Sequence, residues 1–374
     1  MSARRVLVVR ADSDGDVLLA GPAVRAVAAS AAVTMLVSPA GRAAARLLPG
    51  VDEVVVFDAP WSGYRPPPVD PGATAELVER VRSGRFDAAV VLTSWHQSPL
   101  PMALLLRLAG VPFVAAASED YPGSLLDLRF RADRSAPGQV HEAEAMLALV
   151  QAAGFAADPA DPLGAGDPTL LAVRRPLPAL PPAVGDVAAG GPFVVVHPGA
   201  SVPARAPSPA VAAGIVAELV ARGHRVVVTG GPGETDLTAS VAGDHPAVLD
   251  LGGRTDLPTL AAVLEAAACV VVGNTGPAHL AAAVGTPVVS LFAPVVPLER
   301  WRPWGVPSRI LGDQSAACRG SGARECPVSG HPCLSSAPSA VADAVEELAA
   351  PHVPDRASDA PPALQIPGRS VLSA

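Results

Sequence analysis

Four short stretches carry residue types that could do chemistry together. The most informative is Gly273-Asn274-Thr275-Gly276-Pro277-Ala278-His279, set between the apolar run Val270 to Val272 and a small-residue segment, Ala278 to Val284, of helical character. A helix that opens there leaves amide N–H groups without intrahelical partners and makes an anion site. Thr275 can add a hydroxyl, Gly276 permits close approach, Pro277 suits the first helical turn, and His279 can reach a phosphate or a sugar. The plainer alternative is a capped turn with a satisfied histidine. A second stretch, His197-Pro198-Gly199-Ala200-Ser201 with Arg205 close behind, also lets backbone amides approach a ligand. In the third, Gly230-Gly231-Pro232-Gly233-Glu234, the glutamate either sits in a first helical turn or is offered to ribose hydroxyls. The fourth lies early: Arg10-Ala11-Asp12-Ser13-Asp14-Gly15-Asp16. It is not the G-x-G-x-x-G fingerprint, which disfavours a nicotinamide or flavin fold. An aspartate there is either an N-cap or a carboxylate able to take a proton from a hydroxyl.

These stretches all follow short apolar runs, and the runs alternate with helical segments. Strands are expected at residues 4–9, 33–37, 53–57, 87–92 and 112–116, with helices at 17–29, 40–48, 73–82, 100–109 and 140–152. Residues 157–192 are rich in Pro, Gly, Ala and Asp. The alternation then restarts, with strands at 193–196, 225–229, 247–249, 270–272 and 287–292 and helices at 208–222, 234–242, 257–267, 278–284 and 337–350. Such alternation predicts an α/β chain with two doubly wound parallel sheets. The expected domains are 1–175 and 193–350, with a linker at 176–192 and a disordered tail at 351–374. A ligand cleft belongs between the carboxyl ends of the two sheets.

Composition narrows the classes. The chain has 374 residues, too many for one ordinary core, and a formal net charge of −8 argues against a nucleic-acid surface or a polybasic membrane patch. The start of the chain lacks the features of a signal peptide, because Asp12, Asp14 and Asp16 interrupt any hydrophobic region. The apolar run 278–296 is broken by His279, Gly285, Pro287 and Pro294, against a spanning helix. A cytoplasmic monomer is expected, touching a membrane at most through its substrate. Cys318, Cys326 and Cys333, with His331, form a loop cluster that lacks the paired C-x2-C knuckles of secure zinc sites, so loop packing is favoured over a metal.

Taken in order, HPGAS at 197–201, GGPGE at 230–234 and GNTGPAHLAAAVGTPVVSLF at 273–292 resemble glycosyltransferase family 9, the heptosyltransferase family. DGDVLLAGPAVRAV, SWHQSPLPMALLLRLAG, RWRPWG and the loop from Cys326 to Cys333 fit the same resemblance, which covers about residues 4–350. It implies a GT-B fold, two Rossmann-like domains facing a central cleft. It also implies inverting transfer of a sugar, typically heptose from ADP-heptose, to a glycan or small-molecule acceptor, with neither cofactor nor metal. Carried over, Asp16 is the general base, and Ser201, Arg205, Glu234, Asn274, Thr275, Gly276, Pro277 and His279 bind the donor. Trp95, His96, Arg129 and Arg131, with Arg134, are the acceptor-side candidates, although arginines in a loop are commonly just solvated charge. Two positions depart from the family pattern: Arg205 stands near its phosphate-binding lysine, and Asn274 where an aspartate is frequent. A nucleotide-sugar epimerase of the same architecture, or a non-catalytic nucleotide-sugar-binding protein, would share much of this sequence.

Overall fold

A computed structural model describes residues 4–349 apart from 95–96, 132–139, 164–165 and 329–330. Trp95, His96, Arg134 and the expected tail therefore lie outside the described residues.

The first lobe runs β1 (Arg5–Arg10), α1 (Asp14–Leu19), α2 (Gly21–Ala28), β2 (Ala32–Val37), α3 (Arg42–Leu47), β3 (Val51–Val56), α4 (Pro71–Gly84), β4 (Ala88–Val91), α5 (Leu100–Leu108), β5 (Val114–Ala117), β6 (Leu128–Phe130) and α6 (Glu142–Ala152). After α7 (Pro182–Ala189) the second lobe runs β7 (Phe193–His197), α8 (Pro209–Ala221), β8 (Arg225–Val228), α9 (Thr235–Ala242), β9 (Val248–Asp250), α10 (Leu257–Ala266), β10 (Cys269–Gly273), α11 (Gly276–Val284), β11 (Val288–Leu291), α12 (Leu298–Trp301), β12 (Ser308–Leu311) and α13 (Pro338–Ala349). Each lobe holds a six-stranded sheet, ordered β3-β2-β1-β4-β5-β6 in one and β12-β11-β10-β7-β8-β9 in the other. All the pairings are parallel. Numbered within its own lobe, each sheet has the order 3-2-1-4-5-6, so the order reverses beside β1 in one lobe and beside β7 in the other. Crevices at such reversals are where these sheets bind ligands.

The strands are valine-rich because both sheet faces are covered. On β1, Val6 and Val8 enter one apolar layer while Leu7 and Val9 enter the other, all four buried. Several expected boundaries change for local reasons. The helix expected at 17–29 is two helices, α1 and α2, broken before Pro22, which lacks an N–H and whose ring would crowd the carbonyl four residues back, so it begins a new helix rather than continuing α1. The segment expected as linker contains α7, which starts on Pro182, a residue suited to a first helical turn. Two edge strands, β6 and β12, and the short α12 were not expected; the strands are only half buried and carry Arg129 and Arg309.

Among the described residues, the seams that join the lobes include three with defined partners. At the first, the α1 backbone lies against the start of α11: a Cβ on Gly15 would stand 2.9 Å from the Gly276 Cα. At the second, the His141 ring at the head of α6 stacks on Trp304, with centroids 4.2 Å apart. Arg300 Nη1 donates to buried Glu142 at 2.7 Å beside it. His141 Nε2 meets the Arg302 carbonyl at 3.1 Å, and its Nδ1 faces the Ala143 amide at 3.3 Å. A carbonyl only accepts and an amide N–H only donates, so the ring is the neutral Nε2–H tautomer. Burial is the main reason its pKa falls to about 3. At the third seam, Arg324 donates to the carbonyls of Gly63 and Tyr64, and the Tyr64 hydroxyl donates to Glu325 at 2.6 Å.

Two outcomes follow from the seams. Gly15→Ala should open the lobes without unfolding either, because the new methyl group meets backbone that cannot rotate away. Small-angle scattering should show a larger radius of gyration, with a melting temperature within a few degrees of the parent. Acidification should weaken the second seam. His141 is neutral when folded and titrates normally when unfolded, so stability is present above about pH 6.5 and falls as pH drops towards 3. From pH 7 to 5 this group contributes a loss of about 2 kcal/mol. Denaturant titrations of His141→Phe should show a smaller loss over that interval, on a stability already about 1 kcal/mol lower through the lost cap.

Candidate active site

The candidate residues converge where the carboxyl ends of the two sheets face each other. Of the three early aspartates, Asp16 is the one that looks across. Asp14 turns back into its own lobe, accepting from the Ala44 amide at 2.9 Å, and Asp12 pairs with Arg10 Nε at 3.1 Å. The Asp16 carboxylate accepts from Arg10 Nη2 and from the Ser13 hydroxyl, each at 3.1 Å, and keeps 26% of its side chain exposed. Burial, the largest single influence, would raise its pKa; Arg10, Arg205 and His279 from the opposite lobe, and the Ser13 hydroxyl together outweigh it, and the carboxyl lies below its ordinary range. The N-cap alternative is not what Asp16 does, since the cap of α1 is Ser13.

On the facing lobe, α11 opens as its sequence predicts. Thr275 is its N-cap in extended conformation, its side chain makes no capping bond, and Gly276 and Pro277 form the first turn. His279 is 5% exposed, and its Nδ1 is buried without a hydrogen-bond partner among the described residues. Burial, only partly offset by Asp16, pulls its pKa down to about 4, so the ring is neutral at pH 7. Arg205 ends a short 3-10 turn, Pro203–Arg205, held by the Ala204 amide on the Arg324 carbonyl at 3.0 Å. Its Nε is buried without a hydrogen-bond partner among the described residues. A Cβ on Gly273 would fall 2.4 Å from the Arg205 carbonyl oxygen, so this glycine is what lets the two loops meet.

The remaining donor-side candidates divide. Asn274 is 4% exposed and its amide is committed to one backbone unit: Nδ2 donates to the Ala293 carbonyl at 3.3 Å and Oδ1 accepts from the Ala293 amide at 3.0 Å. Its side chain thus ties the loops after β10 and β11 together rather than facing the cleft. Glu234 folds over its own turn, Oε2 accepting from the Gly231 amide at 2.7 Å, and packs onto Gly199, where a Cβ would stand 2.0 Å from Oε1. His197 Nδ1 meets the Thr229 hydroxyl at 3.0 Å, while its Nε2 lies 3.9 Å from Glu234. The second and third stretches are therefore one packed unit, and Ser201 stands exposed at its edge.

Of the acceptor-side arginines, Arg129 and Arg131 are among the described residues. Arg129 donates to the carbonyls of Ser118, at 3.0 Å, and Glu119, which bends its guanidinium onto its own loop, while Arg131 is exposed. The recess that opens beside Asp12 is small and largely apolar, with a cavity volume of about 20 Å³, walled by Val9, Trp61, Met102, Ser62 and Gln97 among others. Of the cysteines, Cys318 and Cys333 share a thiol hydrogen bond, all three in the loop are free, and among the described residues no group of His, Cys, Asp or Glu is arranged to hold a metal ion.

Sequence reading missed Arg10, Glu142 and Arg300. Arg10 carried a usable signal, a charge closing a valine run, and Arg300 lies in the RWRPWG stretch already singled out. Glu142 had none, because its partners are more than a hundred residues away.

Comparison with known proteins agrees with this geometry. The family model described as glycosyltransferase family 9 (heptosyltransferase) matches residues 74–329. Lipopolysaccharide heptosyltransferase 3 of Escherichia coli is 37% identical over 94 residues, 24% of this chain and 27% of that protein. The chain thus spans about a quarter of the length of the curated relatives it matches. Among solved structures, a glycosyl transferase family 9 protein from Veillonella parvula DSM 2008 superposes with a TM-score of 0.71 at 17% identity, covering 93% of this chain and 98% of that one. E. coli ADP-heptose lps heptosyltransferase II gives 0.65 at 19% identity over 92% and 98%. E. coli heptosyltransferase WaaC with ADP-2-deoxy-2-fluoro heptose gives 0.62 at 18% identity over 92% and 99%. At these identities the superpositions show the shared GT-B fold, while the family model spans well over half the sequence; the chain belongs to glycosyltransferase family 9.

Proposed function

We propose that this glycosyltransferase moves a sugar, heptose from ADP-heptose, to a hydroxyl of a glycan or lipopolysaccharide-core-like acceptor, with inversion, without a metal, and with Asp16 as general base. The observation that carries the reading is the facing pair: an ionised carboxylate on the first lobe, and on the second a half-buried arginine with a buried Nε, a neutral histidine and a helix start. Support for the donor comes from the relative whose structure holds an ADP-heptose analogue and from the name of the curated relatives. The domain roles follow: residues 1–175 hold the acceptor, 193–350 the donor, and the segment between links them. The same reading makes the chain a cytoplasmic monomer; among the described residues no helix is long and apolar enough to cross a membrane.

In this mechanism the diphosphate rests on the first-turn amides of α11, with Arg205 and His279 beside it. Asp16 takes the proton of the acceptor hydroxyl. The oxygen attacks the anomeric carbon from the face opposite the diphosphate, and the bond from that carbon to the phosphate oxygen breaks, the electron pair leaving with ADP. The buried donors act where negative charge develops, and they do so in a site that excludes most water. Glu234, Ser201 and Thr275 serve the nucleotide end through their loops. Asn274 serves by holding its loop on Ala293.

Incubation with ADP-heptose and candidate acceptors tests this. Transfer, or slow hydrolysis, releases ADP; a sugar altered without ADP release would identify an epimerase, and neither event a binding protein. A thermal-shift series over ADP-, GDP-, UDP- and dTDP-sugars checks the donor independently, with ADP-heptose expected to give the largest shift. Asp16→Asn should lower kcat about 10²- to 10⁴-fold while leaving donor KM nearly unchanged. Because the Asp16 pKa is depressed, the ionised base persists as pH falls through the usual carboxylate range. The rate should accordingly stay level from pH 8 to 5 and drop only below that, measured as ADP release at saturating substrates.

A further inference from the structure

We infer that Arg10 is a positioning residue: its guanidinium aims the Asp16 carboxylate across the cleft, and Asp12 links that aim to the recess on the acceptor lobe. The inference rests on Asp16 being the base.

Arg10 closes β1 and is wholly buried, the largest fully buried side chain of the chain's described core. Its strand neighbours are valine and leucine, and an apolar residue would complete the strand without the several kcal/mol that desolvating a guanidinium costs. The charge is there for its partners. Nη2 donates to Asp16 at 3.1 Å and to the Ser94 hydroxyl at 2.8 Å, while Nε faces Asp12 Oδ2 at 3.1 Å. Both hydrogen bonds leave from Nη2, the contact to Asp12 is an ion pair without hydrogen-bond geometry, and Nε and Nη1 have no hydrogen-bond partner among the described residues. A buried planar guanidinium still sets the angle between the two carboxylates, which a flexible ammonium would not.

Asp12 is itself fastened on its far side. Its Oδ1 accepts from Gln97 Nε2 at 2.7 Å and from the Ser62 hydroxyl at 3.0 Å, and its carbonyl accepts from Ser38 at 2.6 Å. Ser62 and Gln97 also wall the small apolar recess. A molecule seated there presses on groups that hold Asp12, and Asp12 holds Arg10. The chain from recess to base is therefore Ser62 and Gln97, Asp12, Arg10, Asp16. Among the described residues, the other charged or titratable groups around it are Glu142, which faces both Arg10 and Asp16, and Arg205 and His279 from the second lobe. None of these bonds to Asp16 in place of Arg10; its other hydrogen bond comes from Ser13.

The test compares the parent with Arg10→Gln, Arg10→Lys and Asp16→Asn. Two quantities are read: ADP release from ADP-heptose between pH 4 and 9, and the titration of the Asp16 carboxyl by ¹³C NMR of aspartate-labelled protein, which needs no turnover. In Arg10→Gln the Asp16 midpoint should rise by about 1–3 pH units, carrying the acidic limb of the rate upward with it. Its kcat at pH 6 should fall about tenfold or more, with donor KM little changed. Arg10→Lys keeps the charge but not the planar group, so the midpoint should stay within about one unit while kcat still falls severalfold. An unchanged midpoint and a kcat within twofold of the parent in Arg10→Gln overturn the inference. If that variant does not fold, Arg10→Lys decides, and parental kcat there overturns it equally. Loss of turnover in Asp16→Asn alone leaves the base reading standing without Arg10; full turnover in Asp16→Asn removes both.

Discussion

A carboxylate held between two lobes must be stabilised as an anion or it takes up a proton and ceases to be a base. That constraint organises the centre of this protein. Asp16 loses most of its water, and two arginines from opposite directions and a hydroxyl replace it. One arginine belongs to the same lobe and hydrogen-bonds Asp16; the other comes from the facing lobe and acts on it through charge alone. Both keep buried N–H groups without a hydrogen-bond partner among the described residues.

The two lobes supply complementary halves because each is the same sheet used differently. The strand order reverses beside β1 in one and beside β7 in the other, and at both reversals short loops deliver backbone and side chains to the gap. The first lobe answers with carboxylates braced by Arg10; the second with a helix start, a neutral histidine and an arginine. His279 is neutral at pH 7 for the same reason that Asp16 is charged: burial acts against the ionised form of both, and only Asp16 has enough opposite charge to overcome it.

Much of this was legible in the sequence. Valine runs separated by alanine-rich segments announce parallel strands and covering helices, and the family motifs lie at the strand ends where ligands bind. Asp16, Arg205, Gly276 and His279 could be named because each sits in a short motif with its own physical logic. What stayed hidden depends on partners far away in the chain. Asn274 looks like a ligand residue until Ala293 is seen to occupy its amide. Arg129 looks like free charge until the carbonyls of its own loop are seen to take it up. The edge strands β6 and β12 escaped because a half-buried strand with an arginine lacks the continuous apolar run that betrays a central one. The helix at Pro182 was read as linker because paired prolines suggest extended chain, though one proline at a first turn begins a helix equally well.

At the contact nearest the chemistry, the lobes touch through Gly15 and Gly276, main chain to main chain, with the His279 ring beside them. A junction of that kind asks nothing of the amino acids on either side beyond their smallness. At this seam each half can drift in sequence without the other having to answer, provided both glycines stay; the paired side chains that must change together lie at the other two seams. A protein built this way can acquire a new recipient for its sugar through changes confined to one half, while the machinery that grips the departing nucleotide is inherited intact.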